Sequence, residues 1–419
     1  MDLTVDEYIE GLLSKEAYDI PSDSVKVDDL KTTLPKWFDE ELYNRGRDFY
    51  RRYSYGFTNT FFIGLVAIFA VPSVVEVLLN TQRSTTKYTA YKRYLMTTLR
   101  TTSLFKHELK PGSPSWRSFG AIRKRHLMAV QGASIKNKKM ISQRDLALTQ
   151  FALFGFVLLK PDKFGIRQQR EGDWDAYHHV WKVFGHMVGI KDRFNLCRND
   201  ITETRQACKQ ILDRVYTPLL ENVPEYFEHL SHMMIEGLWA VNSNMEHGSL
   251  VYATKNLANV PGYILTEAER ITLQTRIKEQ LNGRHEDTGV DSMALVPKPG
   301  FECQRTPRLL YLKNYDSLDN APEYRKLTTA AKYKMAIFSI MITFYGTTIG
   351  RFLLNWYLCF SLKMSEYFPY VAFFLYGIKN AYVDVNKESP TDDSLPKPNA
   401  YYYQPQPPEP WYKRILAFW

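Results

Sequence analysis

Ser142-Gln143-Arg144-Asp145-Leu146-Ala147-Leu148-Thr149-Gln150-Phe151-Ala152-Leu153-Phe154-Gly155-Phe156-Val157-Leu158-Leu159 reads as a helix with a polar start and a body that is apolar on nearly every side. Ser142 can cap its first turn, with Asp145 three residues on as a capping-box variant. Ile141 and Leu146 are placed for a hydrophobic staple. Lys160-Pro161-Asp162 stops it, because proline cannot continue the ladder. A helix with no polar face has to be buried. Period-2 alternation is scarce elsewhere in the chain, so the elements that cover it are helices and the expected fold class is all-α.

Working upstream, Ala121 to Gln131 is helical, with Ile122, His126, Ala129 and Val130 on one stripe. Residues 88–106 form another helix, and Pro111, Gly112 and Pro114 mark the loop between the two. Phe57 to Val75 runs 19 residues without a charge, behind Arg51 and Arg52. That length could span a bilayer. Thr58, Asn59, Thr60, Gly64 and Pro72 dilute it, which favours a buried core helix. Phe38 to Tyr55 is charged and amphipathic. Residues 1–33 form a polar lead-in with one short helix. The acidic start, Met1 to Glu7, has no apolar core and reads as neither a secretory signal nor a transit peptide.

Downstream, Trp174 to Ile190 is a helix. Two more follow near 200–214 and 224–242, separated by Pro218, and then a charged helix at 264–281. These complete one large helical domain over 34–281. Residues 282–307 are rich in Gly, Pro and charge, a linker or long loop. Residues 320–335 read as a charged helix. Met335 to Gly350 and Phe352 to Leu362 are apolar, interrupted by Arg351, with Asn355 within the second run. Tyr367 to Ile378 is aromatic and apolar. Residues 308–385 therefore form an apolar C-terminal extension that could associate with a membrane, spanning it loosely or lying on it. The tail, 386–419, is Pro-rich and carries Tyr401-Tyr402-Tyr403; its reading is disordered or extended.

The composition is globular: 419 residues, 45% hydrophobic, with 28 Tyr and 24 Phe that could line an apolar cavity as well as fill a core. The net charge of +9 is spread along the chain, with a local run at Arg117, Arg123, Lys124, Arg125, Lys136, Lys138 and Lys139. No nucleic-acid motif accompanies it. Cys197, Cys208, Cys303 and Cys359 have neither zinc-site nor disulfide spacing and read as free thiols of a reducing, intracellular compartment. Nucleophile elbows, phosphate loops and dinucleotide glycine patterns are missing, which disfavours hydrolases and kinases.

Three histidine groups could carry chemistry. His126 sits on an apolar helical stripe, where a histidine is more often core than ligand. Arg123, Lys124 and Arg125 flank it, however. An imidazole in an apolar setting with cations at the rim suits an iron porphyrin, whose propionates take the cations. His178, His179 and His186 with Asp175 suggest non-haem iron. Yet His179 and His186 stand two turns apart, about 10 Å, and His178 points about 100° away from His179. Glu225, Glu228, His229 and His232 lack the paired Glu-x-x-His of di-iron bundles.

Several segments, in order, resemble one family. They are Leu34-Pro35-Lys36-Trp37-Phe38-Asp39 with the later Gly46, then Arg93-Tyr94-Leu95-Met96-Thr97, then Ile122 to Val130. Ile141-Ser142-Gln143-Arg144-Asp145 to Thr149 and Trp181 to Ile190 complete the series. The stretch 34–199 is similar to oxygenases that include bacterial latex-clearing protein (rubber oxygenase) and the fungal ER-bound MpaB-type enzymes. The resemblance implies a single helical domain around a b-type haem, with His126 as axial ligand to the iron and Arg93 and Thr97 shaping the distal pocket. Arg123 would partner a propionate. Glu76, matched by spacing only, would be a candidate base or else a helix-end carboxylate. The reaction implied is O₂-dependent cleavage of a C=C bond in an apolar, isoprenoid-like substrate, in an intracellular and ER-membrane setting. One departure stands out: Met96 occupies the position of the family's distal Lys, so no lysine can cap the iron there. A non-catalytic membrane-associated protein and a non-haem iron oxygenase are the alternatives.

Overall fold

The helix anticipated at 142–159 runs Gln143–Leu159. Ser142 Oγ accepts the Asp145 N–H at 3.1 Å, and the Asp145 carboxylate accepts the Ser142 N–H at 2.9 Å. Of its residues only Thr149, Leu153 and Leu159 are not buried. The computed structural model describes residues 3–404 apart from 24, 26–29, 31, 285, 297–305 and 386. Cys303, the middle of the 282–307 linker and the last fifteen residues of the tail therefore lie outside the described residues.

The elements around this helix follow in chain order. The N-terminal part comprises α1 (Val5–Leu13), α2 (Lys15–Asp19), α3 (Glu40–Arg52), α4 (Ser54–Ile68) and α5 (Pro72–Thr81). Next come α6 (Lys87–Lys106) and α7 (Pro114–Ile135), and Gln143–Leu159 is α8. After it lie α9 (Asp173–Met187), α10 (Ile201–Ile211), α11 (Thr217–Glu221), α12 (Phe227–Leu238), α13 (His247–Leu257) and α14 (Glu267–Gln280). The C-terminal part holds α15 (Pro322–Arg325), α16 (Thr329–Tyr345), α17 (Thr348–Tyr367), α18 (Tyr370–Tyr376), α19 (Ile378–Ala381) and α20 (Asn399–Tyr402). A two-residue antiparallel pair, β1 (Val290–Asp291) with β2 (Leu309–Leu310), is the only sheet among the described residues.

Small residues set the closest helix crossings. A β-carbon at Gly64 of α4 would overlap the Ala152 carbonyl of α8, and one at Gly46 of α3 would overlap the Ala176 carbonyl of α9. Glycine at these two points lets backbones approach where any other residue would hold them apart. The apolar run 57–75 is broken: α4 ends at Ile68, and α5 leaves it at 93°. Every residue of α4 except Ser54 and Asn59 is buried, as expected for a core helix. No single described helix is long and apolar enough to cross a membrane.

Four local expectations change. The polar lead-in carries two helices, and Tyr8, Ile9, Leu12 and Ala17 join the core. Pro218 does not separate two helices: α10 runs through a π turn at Leu212–Tyr216 into α11, where proline in the first turn costs no hydrogen bond. The helix expected at 320–335 begins only at Thr329, capped by Thr328 Oγ1, and absorbs the apolar run to Tyr345. Finally, of the two readings of the tail, residues 387–403 take the extended one and lie as a strap over the turn before α6 and over α12. Asp392 N–H bonds the Gln82 carbonyl at 2.9 Å, and Lys397 N–H bonds His229 Nδ1 at 3.0 Å. Asn399 Oδ1 accepts the Glu228 N–H at 3.1 Å.

Candidate functional site around His126

His126 lies midway along α7, the second arm of the α6–α7 hairpin. Ser113 caps that arm, with its Oγ accepting the Trp116 N–H at 3.1 Å, and Pro114 occupies the first turn, where it is tolerated. The ring is half-buried, and its Nδ1 is shielded from solvent with no hydrogen-bond partner. Burial, followed by the nearby Arg93 charge, pulls its pKa down to about 4. At neutral pH the imidazole is therefore uncharged, with a lone pair free to bind a metal.

Arg93 stands on the facing arm. One guanidinium nitrogen donates to Thr81 Oγ1 and to Ser84 Oγ, both at 3.2 Å, which anchors it to the end of α5. It makes no ion pair among the described residues, and burial lowers its pKa. A partly desolvated cation held by two hydroxyls and the Tyr94 ring is still a receptor for an anion. Thr97 is one turn on and spends its hydroxyl proton on the Arg93 carbonyl at 2.8 Å. Arg93, Thr97 and Thr101, at i, i+4 and i+8, form one half-buried face of α6.

Met96 lies off that face. It is buried with Leu99, Leu362, Ala372 and Val383, and the Arg125 guanidinium approaches its sulfur at 2.7 Å. The position that holds a distal Lys in the resembled family is here part of the seam with the C-terminal extension. Arg125 also donates to the Lys387 carbonyl at 2.5 Å, so the strap is fastened one residue from His126.

The other expected residues disperse. Arg123 Nε donates to Asp23 at 2.7 Å, which ties α7 to the N-terminal segment. A propionate role would require that pair to be shared. Glu76 is exposed on α5, and its charge is felt by Tyr18 and Lys139; Arg93 is the only charge that shifts His126. Glu76 precedes Thr81, the residue that touches Arg93, by five positions, which turns it about 140° away on the helix. The structure thus sets Arg93 near His126, with Thr97 one turn on along α6, and leaves Glu76 on the outside.

The remaining motif residues prove to be braces. Gln143 donates to the Ser22 and Gly189 carbonyls and accepts the Lys191 N–H, pinning the start of α8 to the end of α9. Asp145 accepts from Ser73 Oγ at 2.5 Å as well as from Ser142. Trp181 stacks on Phe154, and Gly185 leaves room for Asn195 and Gln150. Between α4, α6, α8 and α9 lies a cavity of only about 10 Å³, lined by Phe61, Thr98, Thr101, Tyr177 and Trp181.

The α9 histidines do not converge, whereas His232 packs against His247 at 4.7 Å and His247 faces Glu228 at 3.6 Å. His179 Nε2 accepts the Asp39 N–H at 3.1 Å, His186 faces Asp192 at 3.6 Å, and Trp37 packs edge-on against both. His178 is buried and pulled down to about 4 by that burial. His229 is a latch: Nε2 donates to the Thr85 carbonyl at 2.9 Å while Nδ1 accepts from the strap. Among the described residues no group of three His, Cys, Asp or Glu could hold a metal ion. His229 was the residue whose role the sequence could not convey, because its partners lie about 170 positions away.

No protein-family model matches the chain. It is 32% identical over 117 residues to the rubber oxygenase of Streptomyces sp. (strain K30), which is 28% of this chain and 24% of that protein. Over that stretch the chain is similar to rubber oxygenase. It spans about a quarter of the length of that curated relative. The solved structure of latex clearing protein LCP in the closed state aligns over 67% of this chain and 80% of its own, at 17% identity and a TM-score of 0.37. A superposition that loose transfers no residue role.

Proposed function

We propose that this chain is a haem-dependent oxygenase that uses O₂ to cleave a C=C bond of an apolar, isoprenoid-like substrate. The observation that carries the reading is His126: a neutral imidazole with an unsatisfied, shielded Nδ1, beside a half-buried arginine that makes no ion pair among the described residues. The similarity to rubber oxygenase supports the same class. The donor set fits the cofactor. His126 would hold the iron of haem b, and Arg93 would take an anionic group at its edge, with Arg123 a second partner if Asp23 shares it. When bound, haem supplies an iron centre able to bind O₂. Arg93, fixed by Thr81 and Ser84, needs no reorganisation to do its part. Thr97 lines the same face with its acceptor lone pairs free. Glu76 has no assigned role.

The ultraviolet–visible spectrum of the purified protein tests this directly. A Soret band in the wild type that is lost in His126→Ala is the expected result, and an unchanged band in the variant would end the assignment. A wild type with iron but no porphyrin would point to the non-haem alternative.

The C-terminal helices favour a membrane surface as the setting. Phe352, Ile349, Trp356 and Phe374 are 71%, 71%, 61% and 90% exposed and follow one another along α17 and α18. An apolar patch of aromatics is how monotopic proteins rest in the headgroup layer. An intracellular location on the ER membrane follows the resemblance, and a fluorescent fusion that stays diffuse in cytosol would count against it. Co-sedimentation with liposomes separates attachment from catalysis, because a non-catalytic membrane protein would bind them with no haem absorbance.

A further inference from the structure

A second cavity, of about 490 Å³, lies on the far side of α4 from His126. Its size falls in the range of small-molecule sites, roughly 300–1,000 Å³. Phe61 and Phe62 show how α4 divides the interior. Phe61 lines the small cavity beside α6, and Phe62 lines the large one. Opposite Phe62 runs one stripe of α16: Lys334, Phe338, Met341 and Ile342 at i, i+4, i+7 and i+8, all on the cavity wall. The stripe begins with a cation and is apolar for two turns, roughly 12 Å.

Lys334 is the unusual member. It is only 5% exposed, yet it makes no ion pair among the described residues. Its Nζ reaches only the Ser243 carbonyl at 3.5 Å and Asn244 Oδ1 at 3.3 Å. The nearby Glu246 carboxylate, also on the cavity wall, caps α13 by accepting from Gly248 and Ser249 N–H at 3.0 and 2.6 Å; its charge acts on Lys334 from beyond ion-pair distance and does not offset the burial. Burial lowers the Lys334 pKa. A buried ammonium with two long, neutral contacts carries a desolvation cost that an anion would offset.

We propose that this cavity binds a single-chain amphiphile with a carboxylate head, of the fatty-acid class. The head pairs with Lys334, and the chain lies between α16 and the α4 and α13 walls, against Phe62, Leu257, Phe338 and Met341. The site is separate from the His126 site, and neither needs the other to be filled.

Fluorescence titration of the full-length protein with an 18-carbon conjugated polyene fatty acid tests this, with displacement by palmitate and by hexadecanol. Palmitate is expected to displace the probe at least about tenfold more effectively than the uncharged alcohol, the scale of one charge-assisted hydrogen bond. Lys334→Met should weaken palmitate by about the same factor and leave hexadecanol unchanged. Ala253→Trp, which fills the cavity from α13, should abolish probe binding, with an unchanged far-ultraviolet circular dichroism spectrum reporting an intact fold. Equal displacement by acid and alcohol, or a Lys334→Met variant that binds palmitate as the wild type does, overturns the assignment. The Soret readout at His126 is independent of all these outcomes.

Discussion

Helices α8 and α17 have similarly apolar sequences and opposite fates. Helix α8 is buried on almost every side, and its Gln143, Asp145 and Gln150 make interior hydrogen bonds. Helix α17 is turned inside out. Arg351 and Asn355, one turn apart, face the protein, where Asn355 bonds Ser54, Tyr55, Tyr345 and the Arg52 carbonyl. Arg351 donates to the Tyr53 hydroxyl at 3.0 Å. Its aromatic residues face outward. Hydropathy cannot separate the two. The position of the polar residues does so, because a buried polar group must find partners and will turn a helix to reach them.

The contrast can be broken at either end. The largest effect is expected for Phe151→Ala in α8, where a ring fully removed from solvent stacks on Tyr216 at 4.8 Å. The loss should be about 3–5 kcal/mol in urea unfolding. A loss below about 1 kcal/mol would mean that α8 is not the core element described. Next comes Asn355→Leu, which makes α17 more apolar yet removes its inward anchor. It should cost about 1–3 kcal/mol, because the partners at Arg52, Ser54 and Tyr345 are left unsatisfied. A gain in stability would show that hydrophobicity, and not the polar anchor, sets the orientation of α17.

Acid should act on the core helices and spare α17. Burial holds His126 and His178 at about 4 and His247 at about 3. The unfolded chain, with histidines near 6.5, takes up their protons first. Stability is thus fully present above about pH 6.5 and is lost as pH falls towards 4. Thermal melts across that window check the slope, and His178→Gln should flatten it. The smallest effect belongs to Phe352→Ser with Trp356→Ser: within about 0.5 kcal/mol on folding, since both side chains are in solvent. The same pair should lose liposome binding. Retained binding would move the membrane contact off α17.

How much of this was legible follows from the range of the interactions involved. The α8 cap, the α6–α7 loop and the core nature of α4 were readable because they depend on neighbours within four residues. His126 was singled out by its company, while the partners of Arg123 and Met96 were not legible, since Asp23 and the extension come from distant parts of the chain. Glu76 was placed by spacing alone, and the 93° turn between α4 and α5 lies just before it. The strap was missed for a plain reason. Its hold is a set of single hydrogen bonds, most of them using a side chain, to residues far away in sequence, which leaves no periodic signature. Met96 is the residue that departs furthest from expectation: it joins the hairpin to the extension, so α6 and the C-terminal helices share a boundary.

The strap also has a consequence in time. Residues 387–403 lie over the turn before α6 and over α12, and Tyr402 reaches His229 over 173 positions. Contacts of such separation form late, because a long loop must close first. While the chain emerges from the ribosome, α6, α7 and α12 can assemble with the guanidinium of Arg125 and the imidazole of His229 still facing water. The hairpin that carries His126 is thus locked only when the strap arrives, so the last residues described are also the ones that close the fold.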